Sequence, residues 1–154
     1  MSIKQRIVDD MKTSMKSGNK VRLGTLRMLK AKIQAVELEL RADKGREYEI
    51  DDDEAIRAMS AYAKQRRDSI EGYETAGRED LAAKERSELE VVLEYLPAQL
   101  GEDEIRAIVR EAVAEVGATA PKDMGNVMKV VMPKLKGKAD GKVVNRMVRE
   151  VLDG

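Results

Sequence analysis

The stretch KVRLGTLRMLKAKIQAVELELRA, residues 20–42, decides the fold of this chain. Its large aliphatic residues recur at alternating spacings of three and four, at Leu26, Leu29, Ile33, Val36 and Leu40. That spacing is typical of a helix with one apolar seam. At 1.5 Å per residue, such a helix is about 30 Å long. The stretch therefore predicts a long helix that packs along other helices.

The same helical spacing of apolar residues recurs along the rest of the chain, and it predicts seven helices and no strand. The aromatic share is only 3%, with neither Phe nor Trp, so the core is built from Leu, Ile, Val, Met and Ala. Strands favour aromatic and β-branched residues more than helices do. The fold class is therefore expected to be all-α.

The pattern of the helices changes at Leu96-Pro97. Before this point the helices are long, and a turn near residues 75–80 folds two of them into an antiparallel hairpin. Beyond it the helices are short, with Pro and Gly at their boundaries, and Asp140 is expected to cap the last one. We expect a long-helix N-terminal domain at 1–96 and a three-helix tail domain at 97–154.

Two absences from the composition limit the chemistry. The chain contains no Cys and no His, which removes thiolate chemistry, the commonest general acid–base group and the commonest metal ligand. No apolar run is long enough to span a bilayer, and the amphipathic, acid-containing start does not resemble a signal or transit peptide. We expect a cytoplasmic protein that is not a catalyst and holds neither a cofactor nor a metal.

The formal net charge is zero, but the charges are segregated. Residues 1–36 contain nine Lys/Arg and two Asp/Glu, residues 37–120 twelve and twenty-three, and residues 121–152 eight and three. A basic end can bind a polyanion. Alternatively, the basic ends pack against the acidic middle of the same molecule or of a partner.

The most basic stretch is KLKGKADGK, residues 134–142. It departs from the nucleotide-binding phosphate loop, which has four residues between its first Gly and the Gly-Lys pair and then Ser or Thr. Here three residues intervene, Val143 follows, and no strand precedes the stretch. Lysines in a polar, Gly-containing loop are expected to be exposed and charged, which favours phosphate contacts over a catalytic lysine.

On the following helix, Lys142, Arg146 and Arg149 recur at i, i+4 and i+7, so they share one face. Loop lysines near the positive end of that helix can add phosphate contacts, although Asp140 competes for the same amides. The candidate polyanion-binding residues are Lys134, Lys136, Lys138, Gly141, Lys142, Arg146 and Arg149.

Three other patterns have ordinary structural explanations. The stretch SGNK, residues 17–20, matches a Ser-x-x-Lys motif without its companion motifs, and it coincides with a helix end. The acidic run DDDE, residues 51–54, suits a helix start better than a calcium loop. Met124, Met128 and Met132 form a four-residue repeat that we expect in the core, although such a repeat can also form an adaptable peptide groove.

Three stretches together resemble the YqeY-like proteins of bacteria: AGREDLAAKE at 76–85, LEYLPAQLGEDEI at 93–105 and DMGNVMKVVMPKLKGKADGKVVNRMVREVL at 123–152. The matching positions are Met124, Gly125, Lys138, Ala139, Asp140, Gly141 and Lys142. Asn126 stands where the family pattern has lysine. The likeness covers essentially the whole chain.

The part after Pro97 is also similar to the C-terminal tail of the GatB component of the aspartyl/glutamyl-tRNA amidotransferase. That resemblance implies a link to tRNA but no catalysis, because the amidotransferase carries out its reaction in a separate, larger domain. We therefore expect a non-catalytic protein whose basic tail binds tRNA or a tRNA-handling complex. The alternatives are an accessory subunit or enzyme of the amidotransferase type, a carbon–nitrogen ligase using glutamine as amide donor, and a protein–protein adaptor.

Overall fold

The computed structural model describes residues 1–154 and confirms the all-α fold: seven α-helices, one 3₁₀ turn and no strand. The helices are α1 (Ile3–Ser17), α2 (Lys20–Lys44), α3 (Asp52–Thr75), α4 (Glu79–Leu93), α5 (Glu102–Val116), α6 (Met124–Leu135) and α7 (Gly141–Asp153). The 3₁₀ turn, Pro121–Asp123, leads directly into α6.

The chain forms two compact units, Met1–Leu96 and Pro97–Gly154. We call them the N-terminal unit and the tail. Each has its own apolar core.

In the N-terminal unit, α1 packs along α2 and α3 packs along α4. Leu26, Leu29 and Ile33 of the α2 seam are buried, and Val36 and Leu40 are partly buried against the same core. The core also contains Tyr62 and Tyr95. The seam of residues 20–42 thus supplies the centre of the unit.

Polar side chains cap the starts of these helices. The Ser2 Oγ accepts a hydrogen bond from the Gln5 amide at 3.1 Å. Asp51 and Glu54 form a capping box, in which each side chain accepts a hydrogen bond from the other residue's amide. Capping satisfies amide groups that have no partner within the helix. These contacts give two acids of the 51–54 run a structural role.

In the tail, α5, α6 and α7 pack around an aliphatic core. Its most buried residues are Val109, Ala112, Val127, Val131, Leu135, Val144, Met147 and Val148. No polar residue of the tail is buried, whereas Ser14, Thr25 and Glu37 are buried in the N-terminal unit. The tail is therefore held together by apolar packing alone at its centre.

The expectation of a methionine core in α6 is wrong for Met132, which is 40% exposed. Met124 and Met128 are partly buried, while Val127, Val131 and Leu135 are buried. A four-residue step advances about 40° beyond one helical turn. Two such steps rotate Met132 well away from the direction of Met124, which is why the repeat leaves the core.

Candidate nucleic-acid interface

The lysine-rich segment between α6 and α7 begins with a tight turn over residues 135–138. The Lys138 amide donates to the Leu135 carbonyl at 2.9 Å. Lys136 has φ −55° and ψ 121°, and Gly137 has φ 73°. These angles define a type II turn, whose third position favours Gly because φ is positive there. The positive φ explains why glycine occupies position 137. The turn sets the direction of the backbone that carries the lysines on either side.

The backbone of this turn is also bonded to the first residues of the tail. The Leu100 amide donates to the Lys138 carbonyl at 2.9 Å, and the Gln99 side-chain amide donates to the Gly137 carbonyl at 2.7 Å. The Lys138 side chain is exposed and that of Lys136 is partly so. The turn is therefore a fixed backbone that carries two lysines at the surface.

The segment ends where α7 begins. Asp140 caps α7 as predicted, with its Oδ1 accepting from the Lys142 amide at 3.2 Å. Gly141 is the first residue of α7. One of the amides that could hold a phosphate is thus already bonded to Asp140, so anion binding must rely mainly on side chains.

Lys142, Arg146 and Arg149 share one face of α7, as their spacing predicts. A shallow groove of about 390 Å³ runs along this face, and its lining is Lys142, Asn145, Arg146, Arg149, Glu150 and Asp153. All six residues belong to α7. Because two carboxylates share the groove with three cations, it is not a uniformly positive surface.

Two of the predicted cations are bound within the tail. Arg146 forms ion pairs with Glu102 of α5 at 2.7 Å and with Glu150 at 3.7 Å. Lys134, expected in the loop, lies in the last turn of α6 and pairs with Glu115 of α5 at 3.4 Å. The helix continues past Pro133 and ends two residues later, since a proline near a helix end removes only one amide donor.

The remaining predicted cations fall into two groups. Lys136, Lys138 and Arg149 make no ion pair within the chain, and Lys138 and Arg149 are exposed. Lys142 is exposed as well, and it does have an electrostatic or hydrogen-bonding contact. The structure thus places the unneutralised charge on the turn and on α7, while α5 neutralises Lys134 and Arg146.

Two exposed tail lysines, Lys122 and Lys129, were not among the predicted residues. Neither forms an ion pair. The excess of basic residues in 121–152 includes both, but it does not say which face of α6 each occupies. They extend the candidate surface only if they share a side with the turn.

The N-terminal unit contains a buried carboxylate that sequence reasoning missed. Glu37 accepts hydrogen bonds from the Ile50 amide at 3.0 Å, the Lys4 ammonium at 2.8 Å and the Arg41 guanidinium at 3.1 Å. Burial acts to raise its pKa, but these three donors outweigh burial and the pKa of Glu37 is lowered. The spacing of apolar residues gave no indication that Glu37 is buried, because two of its partners, Lys4 and Ile50, come from α1 and from the segment before α3.

A second polar cluster surrounds Tyr95. Its hydroxyl donates to Asp10 and lies 3.4 Å from Arg22, which also pairs with Glu94 at 2.7 Å. The Arg6 guanidinium stacks 4.9 Å from the ring centre. Burial and the Asp10 carboxylate raise the pKa of Tyr95. With its phenol held protonated, the cluster acts as a clamp between α1, α2 and the end of α4.

Comparisons with known proteins give two further findings. A family model described as Yqey-like protein matches residues 4–152. A protein of Pyrenophora tritici-repentis (strain Pt-1C-BFP), described as altered inheritance of mitochondria protein 41, mitochondrial, is 32% identical over 151 residues. That similarity covers 96% of this chain and 79% of the relative. No helix of the chain has both the length and the apolar character needed to cross a membrane.

Proposed function

This chain belongs to the YqeY-like protein family, as its motifs predict, and we propose that it is a non-catalytic, tRNA-associated protein whose tail binds tRNA or a tRNA-handling complex. The proposal combines the resemblance of the tail to that of the amidotransferase component with the charge geometry of residues 136–149. A cytoplasmic location is part of the same proposal, although the fungal relative is mitochondrial by its description.

The observation that carries the proposal is the turn at residues 135–138. Its backbone is fixed by three hydrogen bonds, and it presents Lys136 and Lys138 without an acidic partner. Unpaired surface cations attract phosphates and release counterions when they bind them. A fixed backbone also lowers the entropy cost of positioning the lysines on a ligand.

The chemistry of the tail favours contacts to the RNA backbone over contacts to bases. All four aromatic residues, Tyr48, Tyr62, Tyr73 and Tyr95, lie in the N-terminal unit. Without an aromatic ring the tail has no platform for stacking unpaired bases. We therefore expect binding that tolerates many RNA sequences and weakens steeply with salt.

Lys134 and Arg146 play a different part in this proposal. Their carboxylate partners lie on α5, so the two ion pairs connect α6 and α7 to that helix. A phosphate at either cation would have to replace a carboxylate that is already in place. The main phosphate contacts are therefore assigned to Lys136, Lys138 and Arg149.

The test is a salt titration of tRNA binding. In the variant Lys136→Gln, Lys138→Gln, Arg149→Gln, removing each phosphate contact should reduce the slope of log affinity against log salt by roughly 0.7 to 0.9. The matched control, Lys12→Gln, Lys16→Gln, Lys84→Gln, removes the same charge from exposed positions of the N-terminal unit. It should keep the wild-type slope.

Equal slopes and affinities for wild type and the tail variant would contradict the proposal. Equal weakening in the tail variant and the control would show attraction to net charge without a site. Copurification with amidotransferase subunits in a complex that survives high salt would instead identify an accessory subunit. Circular dichroism of each variant checks that the helices are retained.

A further inference from the structure

A second apolar seam runs along α2 on its solvent side. Its residues follow the same alternating spacings of three and four as the buried seam, and all are exposed: Val21, Gly24, Met28, Ala31, Ala35, Leu38 and Ala42. Val21 and Leu38 are each 65% exposed and Met28 is 49% exposed. The N-terminal unit therefore leaves a continuous apolar stripe uncovered.

The two seams occupy opposite sides of the helix. At 100° per residue, the mean direction of the exposed seam is separated by roughly 150° from that of the seam formed by Leu26, Leu29, Ile33, Val36 and Leu40. The exposed seam extends from residue 21 to residue 42, about 30 Å along the axis. A surface helix normally has polar residues opposite its core-facing stripe. Helix α2 is thus patterned for contacts on both sides.

Gly24 has no steric role within the fold of this chain. It lies inside α2, where glycine is less favourable than alanine by about 1 kcal/mol. A Cβ added there would meet nothing within 4 Å, so the fold of this chain has no steric need for glycine. Together with Ala31, Ala35 and Ala42 it forms a row of small residues, which lets a second helix approach closely and insert larger side chains.

The charges beside the exposed seam determine which charges a partner helix should carry. The flanking positions are Lys20, Thr25, Arg27, Lys32, Gln34, Glu39 and Arg41. Lys20, Arg27 and Lys32 are exposed and make no ion pair within the chain, and Glu39 is the only acid among these positions. Two copies of α2 would bring mainly cations together, which disfavours self-pairing. A partner helix with acidic flanks would pair with them.

We propose that the exposed seam of α2 is a docking surface for an amphipathic helix of another protein, with large aliphatic residues at its contact positions and Asp or Glu beside them. Opposite charges at flanking positions set partner choice in paired helices. The narrow seam of small residues suits a helix better than a lipid surface, which favours bulky apolar side chains. The inference uses no residue of the tail and is independent of the proposed tRNA binding.

The experiment uses the full chain and a labelled synthetic peptide of four heptads, with Leu at both contact positions and Glu at both flanking positions. A control peptide has Lys at the flanking positions. Fluorescence anisotropy should show binding of the Glu peptide at least tenfold tighter than that of the Lys peptide. Replacing Lys20, Arg27 and Lys32 together with Gln should reduce this preference.

Two substitutions at Ala35 separate packing from simple attraction. Ala35→Glu and Ala35→Lys both place a long side chain in the middle of the seam, and both should weaken Glu-peptide binding at least tenfold. Ala83→Glu and Ala83→Lys make the same changes at an exposed position of α4 and should leave binding unchanged. Tighter binding to Ala35→Lys would show attraction by charge alone and would overturn the proposal.

Three other outcomes would also overturn it. These are equal binding of the two peptides, or none; self-association in sedimentation that Ala35→Glu abolishes, which would make a second copy the occupant; and binding to anionic lipid vesicles that both Ala35 variants lose. Unchanged tRNA binding in the tail variant would contradict the proposed tRNA binding and leave this proposal intact, so the two proposals can fail separately.

Discussion

The two units of the chain build their interiors in different ways. The core of the N-terminal unit includes Tyr62 and Tyr95 and encloses the carboxylate of Glu37, each with specific polar or cationic partners. The tail buries only aliphatic and methionine side chains. Polar networks make geometry specific but fail when one partner is removed, whereas an aliphatic core depends on volume and area.

This difference leaves the polar groups of the tail at its surface. In the N-terminal unit, Lys4, Arg41 and Arg66 bind carboxylates that are partly or fully buried, so their charges serve the fold. In the tail, Lys136, Lys138 and Arg149 form no ion pair with a carboxylate of the chain. The tail buries no charged group, so the cations of the proposed tRNA surface have no structural role in its core.

The largest effect should come from cavities in the two cores. Leu29→Ala and Leu135→Ala each remove a fully buried leucine side chain, which costs about 2 to 5 kcal/mol. A unit as small as the tail rarely holds more than about 3 to 5 kcal/mol, so Leu135→Ala should unfold it while α1–α4 stay folded. Amide hydrogen exchange read by mass spectrometry distinguishes the units.

Simultaneous loss of protection in both units, after either substitution, would contradict this expectation. It would mean that the two cores unfold as one cooperative structure. The isolated fragment 97–154 offers a second check, because its thermal melt should be cooperative if the tail folds alone.

The next largest effect should come from Glu37→Gln. The substitution removes the charge that Lys4 and Arg41 share and weakens the bond to the Ile50 amide, at an expected cost of about 1 to 3 kcal/mol. Urea unfolding should show the loss in the N-terminal unit only. The neighbouring Glu39→Gln is the matched control, since Glu39 is exposed and has no such bonds. Equal losses of unfolding free energy in the two variants would show that the buried network around Glu37 adds no stability of its own.

Gly137→Ala should have a smaller effect, in the tail. Alanine at φ 73° costs about 1 to 2 kcal/mol, and it should also loosen the lysine turn and weaken tRNA binding. Gly77→Ala imposes the same strain in the N-terminal unit, where Gly77 has φ 71°. It should lower stability alone. If both variants bind tRNA like wild type, the turn does not position the lysines for RNA.

The smallest effect should be a drift with pH. Hydrogen bonds from Lys44 and then Tyr48 lower the pKa of Glu54 to about 2 from 4.5, and the pKa of Glu37 is also lowered. A lowered pKa gives stability that is complete above about pH 4.5 and is lost as the pH falls through the folded value. Unfolding midpoints of the N-terminal unit should therefore decline below about pH 4.5.

The tail should show a weaker decline. Hydrogen bonds from the amides of Thr119 and then Ala120 lower the pKa of Asp123. Glu85 acts in the opposite sense in the N-terminal unit, since burial raises its pKa. Replacing Glu37 and Glu54 together with Gln should flatten the N-terminal profile. An unchanged profile would assign the pH dependence to other groups.

Local rules explain what the sequence predicts well. The seam of α2, the helix start at the acidic run 51–54, the Asp140 cap and the all-α class depend on spacing and on contacts within four residues. Such contacts are visible in a linear pattern. The family resemblance, carried by motifs, was equally accessible.

Contacts between residues far apart in the chain explain what the sequence does not predict. Arg146 finds Glu102 from 44 residues away and Lys4 finds Glu37 from 33 residues away, so no local pattern shows that these charges are neutralised. Lys134 was expected in a loop, but α6 continues through Pro133 to Leu135. The outer seam of α2 was visible as spacing, but its exposure requires knowledge of which side the other helices cover.

The placement of the tyrosines gives the N-terminal unit a fluorescence signal that the tail lacks. All four tyrosines precede residue 97 and the chain has no tryptophan, so intrinsic emission reports on the N-terminal unit alone, whereas far-ultraviolet dichroism reports on the helices of both. A transition seen in dichroism without a change in emission therefore belongs to the tail. The wild-type chain, without a dye or a mutation, can thus report the order in which its two halves lose structure.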